Sequence, residues 1–383
     1  MAAPTHTALG TWSGGRFMHF GEPLDEERLV ALLRPDEHVR TVLTADAYGQ
    51  GDADRLLGRS LDGLDREDYV LVGAVGHDFY TGEREGARGY PRFTDPRLRG
   101  EGEYADYLRM ATERSLERLG VDRFDLLLLH NPDRTGYTSS AVWEGLEALR
   151  GAGLTELLGV APGPANGFTL DLVECIERFG ASIDWAMVIL GPLEPWPGEL
   201  VLPAAEAGDV AVLTRVVDYG GLLWDDLRPE HELPRADHRS FRPEGWVRRG
   251  LERLDRMRPI AERHGLTPLQ LACQWNLAHE SVGCVVPTLI QEAGPGARPV
   301  EDKRAELAAL PEPVVLDPDE VEEIGALGDN TGSMALKGAS SEHEGPVAPD
   351  RWPLTAKLEA AGRRFGIDAE RDLRAKPPFR RRP

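Results

Sequence analysis

The chain has 383 residues, 41% of them hydrophobic, which is enough for one large domain or two ordinary ones with a substantial core. Its formal net charge of -21 argues against nucleic acid or an anionic membrane as a partner, because both require a basic face. No apolar stretch reaches the roughly 20 residues that span a bilayer, and the first residues lack a signal-peptide pattern. We therefore expect a cytoplasmic protein that acts on a small molecule, with its oligomeric state left open.

Eight short apolar runs are predicted to be strands, and helical patterns separate them along the chain. The predicted strands are residues 7–12, 39–45, 69–75, 124–130, 156–161, 185–190, 210–216 and 282–287. The predicted helices between them are residues 24–34, 53–61, 104–119, 142–152, 170–179, 204–208, 246–265 and 268–278. This number of alternating elements is typical of a (β/α)8 barrel, a TIM barrel of the α/β class.

The fourth strand ends at His130, after four consecutive leucines that indicate burial on both faces of a parallel sheet. Catalytic groups of a (β/α)8 barrel lie at the carboxyl ends of its strands, so His130 is a candidate site residue. Residues 76–102 form a polar, Gly-rich and Arg-rich loop, and loops of that length commonly have a function or are mobile.

The pattern changes after the eighth strand. Residues 300–310 and 317–327 are predicted helices, residues 330–350 have the composition of a linker or covering loop, and residues 353–365 form a weak amphipathic helix. We predict a barrel domain over residues 1–328 and a partly irregular extension over residues 329–383, long enough to cover the barrel mouth.

Six segments of this chain, in this order and spacing, resemble the aldo-keto reductase superfamily. They are Leu9–Trp12, Thr44–Gly49, Ser115–Asp122, Asp125–Asp133, Leu158–Val160 and Gly296–Arg298. The resemblance covers roughly residues 7 to 328 and is nearest to the aldose, fucose and pyridoxal dehydrogenases. It implies a barrel that binds NADP(H) in an extended pose across the strand ends, without a Rossmann domain.

The family's chemistry uses a Tyr, a His, a Lys and an Asp, and this chain matches only half of that tetrad. Tyr48 matches the proton donor and His130 the residue that orients the carbonyl oxygen. Leu43 occupies the position of the Asp and Ala74 that of the Lys, and the first 302 residues contain no Lys at all. We therefore expect a degenerate tetrad.

Cofactor-binding positions of the family also differ here. A Ser-Asn pair that holds the nicotinamide carboxamide corresponds to Ala161 and Pro162, and the aromatic residue that stacks on the nicotinamide ring corresponds to Arg215. An apparent insertion at residues 288–295 displaces Arg298. The leading interpretation is that the protein binds no cofactor, and binding of NADP is the alternative. If a dinucleotide binds, we expect Arg298 and Gly221 to contact it.

Three hypotheses about function follow. The leading one is an enzyme that has lost NADPH-dependent reduction and performs dehydration, elimination or epimerisation on a small carbonyl or hydroxyl compound, as a lyase or isomerase. The alternatives are an NADP(H)-dependent carbonyl reductase or alcohol dehydrogenase with a modified tetrad, and a non-catalytic binding subunit.

Tyr48, His130 and Arg215 are the candidate catalytic residues. A guanidinium at position 215 suits an anion and would lower the Tyr48 pKa, although a salt bridge to Asp218 or Asp184 explains Arg215 equally well. The candidate substrate-binding residues at strand ends are Trp12, Asp46, His77 and Tyr219. The histidines and cysteines show no metal-ligand spacing, so we expect no metal site.

Overall fold

A computed structural model describes residues 3–86, 89–163, 167–234 and 236–376. Its central sheet has eight parallel strands in the order β1 to β8. The bounds are β1 Ala8–Gly10, β2 Thr41–Leu43, β3 Val70–Val75, β4 Phe124–His130, β5 Thr155–Ala161, β6 Trp185–Ile189, β7 Ala211–Arg215 and β8 Val282–Val286. Thr7 bridges Val285 in parallel, which brings β8 back to β1, so the predicted (β/α)8 barrel is confirmed.

Helices cover the outside of this barrel. Their bounds are α1 Glu26–Leu33, α2 Asp52–Leu61, α3 Tyr104–Leu119, α4 Arg134–Thr138, α5 Ser140–Gly151, α6 Thr169–Phe179, α7 Leu202–Ala207, α8 Trp246–Arg263, α9 Pro268–Leu277, α10 Val300–Ala308 and α11 Pro318–Gly328. The predicted helices lie within a few residues of these bounds, and α4 is an additional turn that the sequence analysis did not predict.

Two apolar layers surround the strands, as expected for a sheet buried on both faces. The large outer layer packs between strands and helices. The smaller inner layer fills the barrel and includes Leu43, Ala74, Leu128 and Met187, with Trp12 and Tyr48 packed against it. Tyr48 therefore lies at one end of a filled barrel interior.

The C-terminal extension contains β9 Gly338–Ser340, β10 Arg351–Pro353, α12 Ala356–Arg364 and α13 Ala369–Asp372. Strands β9 and β10 pair in parallel as a separate small sheet. The Trp352 indole and the Ala339 amide both donate to the carboxylate of Asp171, near the start of α6. The extension is therefore attached to the β5–α6 side of the barrel. Its last seven residues lie outside the described chain, and its treatment as a unit separate from residues 1–328 remains a prediction.

Candidate active site

Tyr48 and His130 lie together at the carboxyl ends of β2 and β4. Tyr48 begins a short 3-10 turn, Tyr48–Gly51. The Tyr48 amide donates a hydrogen bond to the Ala45 carbonyl. Its ring meets the His130 ring edge-on, with 5.7 Å between centroids and an interplanar angle of 89°. Nδ1 of His130 is buried and has no hydrogen-bond partner among the described residues. The fold thus juxtaposes the two matched tetrad residues.

Both residues are held in their uncharged forms by burial. Burial lowers the pKa of His130 well below its ordinary value, and the neighbouring His77, Arg92 and Arg215 lower it further. Burial raises the pKa of Tyr48, and the Arg215 charge only partly offsets that effect. Arg215 thus acts on Tyr48 in the expected direction, but the net effect leaves a phenol that keeps its proton at neutral pH.

His77 lies directly beside His130, with 5.2 Å between the ring centroids. Its Nδ1 contacts the Tyr90 carbonyl at 2.9 Å, and its Nε2 contacts the Asn131 side-chain amide nitrogen at 3.0 Å. A carbonyl only accepts and an amide NH2 only donates, so these partners assign the proton to Nδ1. Burial lowers the pKa of His77 to about 3. His77 therefore borders the site as a neutral, fixed ring.

Arg215 ends β7 and points toward the loop that follows β5. Its Nη2 donates to the carbonyl oxygens of Gly163 at 2.7 Å and Pro162 at 3.4 Å. The salt-bridge explanation from the sequence is wrong, because the Asp218 carboxylate accepts from the Gly221 and Thr288 amides. The other acid considered, Asp184, pairs with Arg150.

A cavity of about 40 Å³ is bordered by Arg215 but not by Tyr48, His130 or Arg92. Pro162, Gly163, Met187 and Pro197 contribute to its walls. Its position next to a cation at the strand ends makes it the candidate place for part of a ligand.

The remaining candidate substrate-binding residues are distributed over three environments. Trp12 packs on the inner layer near Tyr48 and is partly exposed. Asp46 is completely buried, so the structure gives no route for substrate contact, and burial raises its pKa well above its ordinary value. Tyr219 lies against α8, where its hydroxyl accepts from Arg253 and its ring packs on Trp246. The Tyr219 hydroxyl is thus already hydrogen-bonded within the protein.

A second polar region surrounds Gly221, after β7. Three cations converge on it: Arg239 donates to the Gly220 carbonyl, Arg298 donates to the Trp224 carbonyl, and Lys303 donates to the Ile290 carbonyl. Gly221 has a φ of 91°, and a Cβ there would lie 3.1 Å from Glu292 Oε1. The cations are shared with carboxylates, among them Glu306, which lies 2.6 Å from Arg298.

Sequence reasoning missed Arg92 and the role of Asn131. Arg92 comes from the long loop after β3 and donates from Nε to the Asn131 carbonyl at 2.5 Å. The length of that loop was the available signal, but nothing in its composition indicates which of its arginines reaches the site. Within the described chain we find no cluster of three or more metal-ligating side chains. The same residues include no helix that is both long and apolar enough for a membrane span.

Comparison with known proteins gives consistent matches. Residues 8–325 match the model of the aldo/keto reductase family. A D-threo-aldose 1-dehydrogenase from a Pseudomonas species is 27% identical over 302 residues, which cover 76% of this chain and 86% of that protein.

Two solved structures have the same fold. The glycerol dehydrogenase of Gluconobacter oxydans has a TM-score of 0.63 and 24% identity, over 84% of this chain and 90% of that one. An aldo/keto reductase from Klebsiella pneumoniae, in complex with NADP and acetate, has a TM-score of 0.56 and 22% identity, over 85% and 92% of the two chains.

These matches correct the cofactor prediction and narrow the function. The expectation that no cofactor binds is wrong, because a protein of this fold contains NADP. That expectation rested on Ala161, Pro162 and Arg215 at the family's cofactor-binding positions and on the apparent insertion before Arg298. The relatives are named as dehydrogenases and reductases, so the matches lend no support to elimination, epimerisation or a lost reduction. The family model spans most of the sequence and the fold agrees with it: this chain belongs to the aldo/keto reductase family.

Proposed function

We propose that this protein is an NADP(H)-dependent oxidoreductase that interconverts a carbonyl and an alcohol on a small, sugar-like substrate. The observation that supports this proposal is the Tyr48–His130 pair, in which His130 retains a buried ring nitrogen that has no hydrogen-bond partner in the described part of the chain. The relatives' names, an aldose dehydrogenase and a glycerol dehydrogenase, support the substrate class.

Arg298, beside Gly221, fits a phosphate of a dinucleotide. Its side chain is 35% exposed and offers a guanidinium to an anion. When bound there, NADP(H) would supply or accept the hydride. We assign Arg298 to holding it. Gly221 lies next to this place, but its amide already donates to Asp218 and a Cβ there would meet Glu292, so we assign it no direct contact with a phosphate.

The protein's own residues handle the proton. We assign His130, neutral at physiological pH, to orienting the carbonyl oxygen through a ring N–H. We assign Tyr48 to donating its phenolic proton to that oxygen as the alcohol forms. Without a Lys at position 74, the positive charge nearest to the Tyr48 phenolate in this scheme is that of Arg215. The degenerate tetrad, with Leu43 and Ala74 at the family's Asp and Lys positions, is part of this proposal.

The test is direct binding of NADPH followed by hydride transfer. NADPH should quench the intrinsic fluorescence with a dissociation constant in the low micromolar range, and Arg298→Gln should raise that constant about tenfold, the loss of one charge-assisted hydrogen bond. Tyr48→Phe and His130→Ala should each reduce turnover of an aldose by about 100-fold or more, the usual size of a lost general acid or orienting group.

Tyr69→Phe is the matched control, since Tyr69 lies at the opposite, amino-terminal end of β3 and should leave turnover unchanged. An absence of NADPH binding would overturn the proposal. Full hydride transfer by His130→Ala would overturn the role given to that residue.

A further inference from the structure

Largely buried cations in this protein are commonly matched with a carboxylate within salt-bridge distance. Five such pairs are Arg99–Asp78, Arg118–Asp54, Arg239–Asp237, Arg242–Glu194 and Lys303–Asp226. This is the expected arrangement, because an isolated buried charge loses its hydration without compensation. A chain with 65 acidic residues has ample material for such pairing.

Arg92 departs from this pattern. Its side chain belongs to a residue that is only 7% exposed, and its contact through Nε is with a neutral acceptor, the Asn131 carbonyl. No carboxylate of the described residues lies within 4 Å of its guanidinium. Asn131 follows His130 directly, so this charge lies beside the catalytic histidine.

Arg215 departs from it in the same way, on the other side of His130. Its contacts are the neutral carbonyls of Pro162 and Gly163, and within the described ranges no carboxylate comes within 4 Å of it either. The loop it contacts follows β5, whose Ala161 pairs with His130 in register. Both charges act on His130, since each lowers its pKa. The site thus has a positive charge on each of two sides of His130, and no carboxylate of the described residues contacts either guanidinium.

We propose that Arg92 and Arg215 receive an acidic group, a carboxylate or phosphate, of the substrate. This inference rests on the proposed function and adds the charge class of its substrate. Planar guanidiniums bind carboxylate and phosphate oxygens through paired N–H donors. The cavity of about 40 Å³ that Arg215 borders has room for about three water-sized groups, comparable to a carboxylate. Arg92 does not line this cavity, so its part in the proposal is the positive charge that it places beside His130.

The net charge of the whole molecule is a second argument for local cations that bind an acidic group. A net charge of -21 repels an acidic metabolite, so its binding requires local cations. Asp133 and Asp350 act on Arg92, and Glu194 acts on Arg215, but none of these carboxylates contacts the guanidinium on which it acts. Burial of two guanidiniums without a contacting carboxylate costs free energy in the empty site, and an acidic group of the substrate offsets that cost.

The experiment compares three sugars that differ at one carbon. D-glucose is neutral, D-glucuronate has a carboxylate at carbon 6, and D-glucose 6-phosphate has a phosphate there. Calorimetric titration of the protein without added cofactor should show at least tenfold tighter binding of one acidic sugar than of D-glucose. The acidic sugar that binds better identifies the anion. Equal affinities for all three would overturn the proposal.

Amino-acid variants test which residues produce the preference for an acidic sugar. Arg215→Gln and Arg92→Gln should each reduce the affinity ratio of acidic to neutral sugar about tenfold, and Arg215→Lys should retain part of it because the charge remains. Arg109→Gln, which removes an exposed arginine of α3, is the matched control and should keep the full ratio. A ratio that no variant changes would overturn the assignment of these residues.

Steady-state measurements separate this inference from the proposed function. With NADP(H) present, kcat/KM should favour the same acidic sugar, and the preference should fall in Arg215→Gln. If the glutamine variants weaken NADPH binding tenfold but leave the sugar ratio unchanged, the two cations serve the cofactor and the inference is wrong. If no sugar is turned over but the acidic one still binds through Arg215, the proposed function fails while this inference stands.

Discussion

Two side chains at the mouth of the barrel have the protonation states that a reductase requires. Burial lowers the pKa of His130 and raises that of Tyr48, so the first is a neutral hydrogen-bond donor and the second an intact acid. Neither state depends on the missing Lys. In the proposed mechanism these states serve the reduction direction, at the expense of the phenolate that oxidation needs.

We expect the rate of carbonyl reduction to be independent of pH between about 5.5 and 9. The depressed pKa keeps His130 neutral as the pH falls through 6.5, the ordinary pKa of histidine. The raised pKa keeps Tyr48 protonated as the pH rises toward 10. The reverse oxidation should instead increase about tenfold per pH unit, since it requires phenolate. A reduction profile with a step near pH 6.5, the ordinary value for histidine, would contradict this.

At the scale of single residues, the sequence predicted that Tyr48 and His130 belong to the site, but not which residues surround them. Their positions follow from strand ends, which local periodicity locates. Arg92 is separated from β3 by a long loop, and its reach to Asn131 depends on the path of that loop. Asp46 was expected at the substrate and is completely buried instead, in the turn between β2 and Tyr48, where the charges of Asp54 and Arg118 act on it.

Among the secondary-structure elements, β9 and β10 of the extension are attached to the barrel through Asp171 near the start of α6. This buried carboxylate accepts from the Trp352 indole, the Ala339 amide and the Arg134 guanidinium. The composition of residues 330–350 indicates a linker, and a fixed, packed β9–β10 pair is found within and beside it. The fixed conformation of this strand pair depends on partners that are distant in the sequence.

Asp171→Ala should therefore loosen the β9–β10 part of the extension. Loss of the carboxylate leaves two buried donors, the Trp352 indole and the Ala339 amide, without an acceptor, while Arg134 keeps its pair with Glu174. We expect the free energy of unfolding to fall by about 3 kcal/mol. Urea denaturation measures this loss, and limited proteolysis should show faster cleavage within residues 336–353. Asp319→Ala, an exposed acid at the start of α11, should change stability by less than about 0.5 kcal/mol. Equal cleavage of both variants would show that Asp171 does not fix the extension.

For the molecule as a whole, the excess of acidic residues is the dominant electrostatic feature. Most ion pairs between described residues have at least one exposed side chain and individually contribute little, whereas the net charge of -21 is repulsive throughout the surface.

Raising NaCl from low to physiological ionic strength should increase the thermal midpoint at pH 7 by a few degrees, because salt screens that repulsion. The same experiment near pH 5.0, the isoelectric point, should show little or no increase. A midpoint at pH 7 that falls with salt would mean that attractive pairs outweigh the net repulsion.

The sequence by itself determined the barrel, the order of its strands and the face on which Tyr48 and His130 meet. These follow from short-range hydrophobic periodicity and from the geometry of parallel strands, whose carboxyl ends converge. Only the tertiary structure decided that Arg215 bonds the Gly163 carbonyl rather than an acid, that Arg92 reaches Asn131, and that Asp171 binds β9 and β10. Those contacts join residues distant in the chain, and their choice of partner depends on packing that no local pattern encodes.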